Sequence, residues 1–263
     1  KTAYEIRPRD WSSDVCSSDL IKELQGHSGS KVYLKEIEGV YCVEKIGNTK
    51  RNFERMAELT KLGYHVPKVY LSIDDSLLME YIHGLDMKNY LIHNNINQLF
   101  NFINETMDSF SNESEMKDYT ETYYNKLSWL DKSKDMPFTK CDLIAKLPKV
   151  LPKSTYHGDF TLENILHTNT GFVMIDPVTT EYDSYVFDLA KLRQDIECKW
   201  FLRNSEVKLD TKLEILNSKI KHSFSQDIND SLLILMLLRV IQYCERGDNN
   251  YNFLMKEIHR LWK

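Results

Sequence analysis

Eight residues, His157-Gly158-Asp159-Phe160-Thr161-Leu162-Glu163-Asn164, together with Asp176 at the end of the apolar run that follows, constrain this chain most. Asn164-Ile165-Leu166-His167 and Gly171-Phe172-Val173-Met174-Ile175-Asp176 read as two strands. Thr168-Asn169-Thr170-Gly171 between them is turn chemistry. Such a hairpin folds Asn164 back beside Asp176, so that both can face one metal. Hard oxygen donors of this kind suit Mg2+, which keeps several of its own waters. Asp159 is the candidate acceptor of a hydroxyl proton. The three groups fit phosphoryl transfer, which needs positioning and charge neutralisation more than covalent help. His157 reads as a hydrogen-bonding residue that shapes the loop, not as a base or ligand.

The pattern H-G-D-x-x-x-x-N, then an Asp after the next strand, resembles the kinase-like small-molecule phosphotransferases, the superfamily of aminoglycoside phosphotransferases and choline kinases. Protein kinases carry the related H-R-D-x-x-x-x-N with D-F-G. The resemblance implies an α+β, bilobal, protein-kinase-like fold: a small antiparallel β-sheet N-lobe with one helix, and a larger, mostly helical C-lobe. Residues 21–84 would form the nucleotide-binding lobe and 85–263 the catalytic and acceptor-binding lobe. It also implies ATP and Mg2+ as cofactors, with Asp159 as base and Asn164 and Asp176 as metal ligands.

Upstream, Gln25-Gly26-His27-Ser28-Gly29-Ser30-Lys31 reads as a glycine-rich turn between two strands. Gly26, Ser28, Gly29 and Ser30 are candidates to approach phosphate oxygens through the backbone. Strands follow at Lys31 to Ile37 and Val40 to Ile46. Alternation places Tyr41, Val43 and Lys45 on one face, so a cation ends an otherwise apolar surface. Lys45 matches the family's phosphate-holding lysine; Lys35 is a rival one strand earlier. Asn48 or Thr49 can cap a helix to about Leu62, with Gly63 as its stop. The family places the lysine's acidic partner near Glu54, and Glu58 is one turn on. Val66 to Leu71 and Ser76 to Ile82 read as further strands. Glu80-Tyr81-Ile82-His83-Gly84 resembles the hinge whose backbone receives the adenine edge, with Glu80 and Ile82 as the candidate contacts.

From Met87 to Leu151 the pattern is helical, with apolar stripes at Leu99, Phe100, Phe102, Ile103 and Met107 and at Tyr119, Tyr123, Tyr124, Leu127 and Leu130. Helices are expected again from Asn204 to the end. Asp188-Leu189-Ala190 resembles the family's D-L-A, in which the Asp supports the loop structurally. Eleven residues separate Asp176 from Asp188, with no A-P-E motif, so a peptide-docking platform is not expected. A small hydroxylated acceptor is: a sugar, amino sugar or amino alcohol. Phe160, Asp183, Asp195, Glu197 and Trp200 are candidates for its walls. Pro177 after the metal Asp, and Glu163 before Asn164 where Gly is frequent, depart from the family pattern and leave the acceptor's identity open.

The first twenty residues stand apart. Asp10-Trp11-Ser12-Ser13-Asp14-Val15-Cys16-Ser17-Ser18-Asp19-Leu20 resembles a translated DNA-sequencing adapter, and Lys1-Thr2-Ala3-Tyr4-Glu5-Ile6 its upstream part. This head is expected to pack poorly on the rest, and some native N-terminal residues are expected to be missing. The chain carries a formal net charge of -5, which disfavours general nucleic-acid binding. Cys42, Cys141, Cys198 and Cys244 are scattered, without metal or disulfide spacing, so reduced cytoplasmic thiols are the default. The longest apolar run, Leu232 to Leu238, is too short to span a bilayer and suits a buried helix. No protein partner is evident. Two other readings compete: a nucleotide-binding pseudokinase, and a metallohydrolase using His157, Asp159 and His167.

Overall fold

The computed structural model describes residues 20–24, 30–112, 115–132 and 135–263. The expectation for the head falls on residues 1–19, outside the described residues; Leu20 opens the first strand. Strands β1 (Leu20–Leu24), β2 (Lys31–Ile37), β3 (Val40–Ile46), β4 (Val69–Ile73) and β5 (Ser76–Glu80) form one antiparallel sheet in the order β1-β2-β3-β5-β4. Glu38 and Gly39, both at positive φ, close a two-residue turn between Ile37 and Val40. That backbone matches strand twist and fixes the β2–β3 register.

Helix α1 (Lys50–Lys61) crosses from β3 to β4 and ends at Gly63, φ +84°. Its buried residues are Asn52, Arg55, Met56 and Leu59, one face of a 3.6-residue period. Met56 packs on Val43, Leu77 and Met79 as the small sheet core. Leu59 instead joins the large core of the other lobe. One helix therefore serves both lobes.

The C-terminal lobe begins with β6 (Leu85–Asp86), α2 (Met87–His93) and α3 (Ile96–Ser111). It continues through β7 (Glu115–Asp118), α4 (Thr120–Lys126), α5 (Lys140–Lys146) and β8 (Val150–Lys153). β9 (Ile165–Thr168) and β10 (Gly171–Met174) form the expected hairpin, with Ile165 paired to Met174. Helices α6 (Tyr185–Ile196), α7 (Asp210–Ser223), α8 (Asp230–Ile241) and α9 (Asn249–Leu261) complete it.

The expectation of unbroken helix from Met87 to Leu151 is corrected by the β7–β8 pair. Glu-Met-Lys-Asp has no apolar alternation, and its partner lies over thirty residues away, so the pairing leaves no local trace. Leu232 to Leu238 are buried in α8 as expected. Among the described residues no helix is long and apolar enough to cross a membrane. Cys141, Cys198 and Cys244 are free thiols.

Candidate active site

The 156–164 loop rests on α6. That helix is buried on every side, yet it carries Asp188, Lys191 and Asp195 at i, i+3 and i+7 on one face. A buried carboxylate needs donors, and backbone N–H groups of the loop supply them. Asp188 Oδ2 accepts from the His157 N–H, and Oδ1 from the Gly158 N–H at 2.9 Å. Burial raises the Asp188 pKa to about 6 against those two bonds. Asp195 Oδ2 accepts from the Leu162 N–H at 2.7 Å. Burial, then the nearby Glu163, raises the Asp195 pKa to about 7. Lys191 Nζ lies 3.2 Å from Asp159 Oδ1.

The His157 ring is buried. Its Nε2 is 3.1 Å from the Ile175 carbonyl, which can only accept, and its Nδ1 accepts from the Asp159 N–H at 3.3 Å. Burial lowers its pKa to about 4, so the ring is neutral at pH 7. It ties the loop to the hairpin, the role its sequence position suggests.

Asp159 keeps 37% of its side chain exposed. Burial opposes its charge, but Lys191 and Arg239 outweigh that and hold its pKa below the usual carboxylate value. Asn164 Nδ2 donates to the Asp159 carbonyl at 2.8 Å and to Asp159 Oδ2 at 3.1 Å. The amide nitrogen is thus spent on Asp159, which leaves the Asn164 side-chain oxygen free for a cation. The Ile175 N–H donates to the Asn164 carbonyl at 2.9 Å, so Asn164 and Asp176 stand side by side at the hairpin mouth. Hard oxygens in that pairing fit Mg2+. No group of three or more His, Cys, Asp and Glu that could hold a metal occurs among the described residues, so the oxygens here are those of one amide and one carboxylate. His167 packs on Tyr90 and Phe172 instead of joining His157, which removes the metallohydrolase constellation.

Lys45, 4% exposed, reaches across to Asp176, with Nζ 2.5 Å from Oδ1. The expected Lys45–Glu54 pair does not form. Glu54 is two residues from Asn52, on the outer side of α1, half exposed and 3.9 Å from Lys50. Glu58 pairs with Arg55 at 2.7 Å, and the rival Lys35 pairs with Glu44 at 2.7 Å. Glu80 ends β5. Its N–H donates to the Lys68 carbonyl at 2.8 Å and its side chain accepts from the Lys68 N–H, which ties the start of the hinge segment to the residues before β4. Ile82 lies past the end of β5, beside the edge-packed rings of Tyr41, Tyr81 and His83. Ser30 is half-buried and sits against Gly47. Gly26, Ser28 and Gly29 lie outside the described residues.

Of the five residues expected to wall the acceptor, three are buried and two are partly exposed and held in ion pairs. Phe160, Asp195 and Trp200 are buried. Asp183 is held by Lys117 at 2.7 Å and Tyr119 at 3.0 Å. Glu197 is held by Arg193 at 2.7 Å and Lys221 at 2.9 Å. The ion pairs of Asp183 and Glu197, the packed rings of Phe160 and Trp200 and the Leu162 bond of Asp195 make them part of the lobe's frame. An open hollow of about 480 Å³ lined by Tyr64, His65, Phe102 and Phe172 contains none of Lys45, Asp159, Asn164 or Asp176.

Asn52, Arg55, Lys191 and Arg239 also contact this site without belonging to the motif. Arg55 Nε donates to the Tyr156 carbonyl at 2.7 Å, and Arg239 Nη2 to the Gly158 carbonyl at 3.3 Å. Lys191 had a readable signal: it lies one turn beyond Asp188 on the same helical face.

The sequence profile of the phosphotransferase enzyme family matches residues 43–205, more than half of the chain and every one of these groups except Arg239. The chain belongs to that family. As a member it is a small-molecule kinase, a transferase with an alcohol group as acceptor. No curated protein matches the sequence. Among solved structures, aminoglycoside phosphotransferase APH(4)-Ia, a thermostable mutant in ternary complex with AMP-PNP and hygromycin B, is similar at a TM-score of 0.63 and 12% identity, over 93% of each chain. An ethanolamine kinase from Plasmodium vivax is similar at 0.60 and 11%, over 95% of this chain and 84% of that one. Choline kinase LicA from Streptococcus pneumoniae is similar at 0.53 and 17%, over 92% and 94%. At such identities the likeness is one of fold, and it bears out the bilobal kinase-like architecture.

Proposed function

We propose that this phosphotransferase moves the γ-phosphoryl group of ATP, with Mg2+, to a hydroxyl of a small molecule: a sugar, an amino sugar or aminoglycoside, or an amino alcohol such as choline. The observation that carries the reading is the convergence of four groups. Asn164 donates to Asp159 at 3.1 Å, its backbone pairs with Ile175 beside Asp176, and Lys45 meets Asp176. The nucleotide and hygromycin B in the APH(4)-Ia complex support a nucleotide donor and a small acceptor here.

In this reading the Asn164 side-chain oxygen and the Asp176 carboxylate hold the metal, which neutralises phosphate charge when bound. Lys45 faces the phosphates. Asp159, kept ionised by Lys191 and Arg239, takes the acceptor hydroxyl proton as the oxygen–phosphorus bond forms and the bond to the β-phosphate oxygen breaks. ADP leaves with the electron pair. An ATP-consuming reaction fits a cytoplasmic location.

Transfer of labelled phosphate from ATP to a panel of sugars, aminoglycosides and amino alcohols tests the reading. Asp159→Asn should lose about 10²–10⁴-fold in kcat. Equal turnover by both proteins would remove Asp159 as base. Tight nucleotide binding with no transfer to any acceptor would favour the pseudokinase.

A further inference from the structure

Asp176 is held from across the cleft. Its φ is +56°, in the left-handed region, and Pro177 follows it. The proline ring crowds the preceding backbone and favours extended geometry there, so a non-glycine residue in this conformation is strained and needs outside support. Asn52 provides it. Its Nδ2 donates to Asp176 Oδ1 at 2.8 Å and to the Pro177 carbonyl at 2.8 Å, bracketing the strained residue.

Lys45 meets the same Oδ1, but its ammonium sits on a flexible stem and turns to the phosphates in the reading above. Asn52 is a short side chain, 5% exposed, on a helix anchored at two further points. Arg51 exchanges hydrogen bonds with Thr179, donating from Nε at 2.6 Å and accepting at its carbonyl at 3.0 Å; Arg55 grips Tyr156. Asp176 Oδ2 takes no hydrogen bond among the described residues, and the side chain is 40% exposed. One carboxylate oxygen is therefore fixed and the other left open.

We propose that Asn52 is a positioning residue of the metal site. It sets the orientation of the Asp176 carboxylate and makes that orientation depend on where α1, and with it the N-terminal lobe, sits. The acidic residues of α1 face elsewhere, so the coupling between lobe and metal runs through an amide. The inference rests on Asp176 being a metal ligand.

Mn2+ binding to the ADP complex, followed by electron paramagnetic resonance, reads this without turnover. Asn52→Ala should weaken Mn2+ about ten- to a hundred-fold, the worth of one hydrogen bond to a charged group, with metal-free ADP binding unchanged. Asp176→Asn is measured beside it. Mn2+ affinity retained in Asp176→Asn would sink the metal assignment itself. Affinity lost there but kept in Asn52→Ala would overturn this proposal alone, as would an equal loss of metal-free ADP binding in Asn52→Ala. Should Asn52→Ala not fold, the wild type decides by NMR. The Asn52 side-chain amide protons should exchange slowly in the Mg2+–ADP complex, and fast exchange overturns the proposal.

Discussion

A Cβ on Gly158 would lie 2.0 Å from the Val178 carbonyl oxygen, and the residue sits at φ +91°. Both facts demand glycine at the centre of the His157-Gly158-Asp159 turn. The contact is with backbone, which cannot swing away as a side chain would. The Val178 N–H also donates to the His157 carbonyl at 2.9 Å, so the segment after Asp176 is laced directly to the loop. Gly158→Ala should therefore move Asp159 relative to Asn164 and Asp176. A displacement on the order of 1 Å costs about a hundred-fold in rate. Phosphate transfer by the folded variant, with folding checked by circular dichroism, gives the measurement. Turnover equal to wild type would mean that the loop tolerates the shift. The spacing of the motif was readable in the sequence, but the reason for its glycine was not. The crowding atom belongs to a residue twenty positions away, and nothing in the local pattern names it.

Helix α1 is the element that joins the two lobes. Arg55 is fully buried and its guanidinium carbon stands 3.9 Å over the Tyr156 ring, while Nε bonds the Tyr156 carbonyl. Arg55→Leu fills much of the volume but leaves that carbonyl and Glu58 without their donor. A loss of about 2–4 kcal/mol is expected from urea unfolding, with Arg55→Lys recovering only part because an ammonium cannot stack and fork together. A loss below about 0.5 kcal/mol would show that the buried guanidinium is dispensable. The helix's extent was legible from Thr49 and Gly63, although Thr49 holds the N-cap position without a side-chain capping bond; β2 and β3 were legible from alternation and the Glu38-Gly39 turn. Its inward face was not. Phe53 and Ala57 are exposed and Asn52 and Arg55 are buried, because this helix covers a polar seam between lobes instead of an apolar core alone. That burial inverts the usual reading of polar residues, and it is why Glu54 was the wrong partner for Lys45.

At the scale of the whole molecule, three buried titrating groups, one in the loop and two beneath it, set opposing slopes of stability with pH. His157 has a folded pKa of about 4, below the ordinary imidazole value of 6.5. The unfolded chain binds that proton first, so stability falls as pH drops from about 6.5 toward 4. Asp195 and Asp188 behave oppositely, with folded values of about 7 and about 6 against 3.8. There the native state binds the proton more tightly, so stability is fullest below about 4 and declines as pH rises through the folded values. The Asp195 contribution separates cleanly, because among the described residues its Oδ1 has no hydrogen-bond partner while Oδ2 accepts from Leu162. Asp195→Asn keeps an acceptor for Leu162 and cannot ionise. Between pH 5 and 8 the wild type should lose stability on the order of 2 kcal/mol more than the variant, since each pKa unit is worth about 1.4 kcal/mol. Urea unfolding of both proteins across that range measures the difference. Parallel curves would mean that the Asp195 carboxyl titrates alike in the folded and unfolded chain, and that the loop does not rest on a protonated acid.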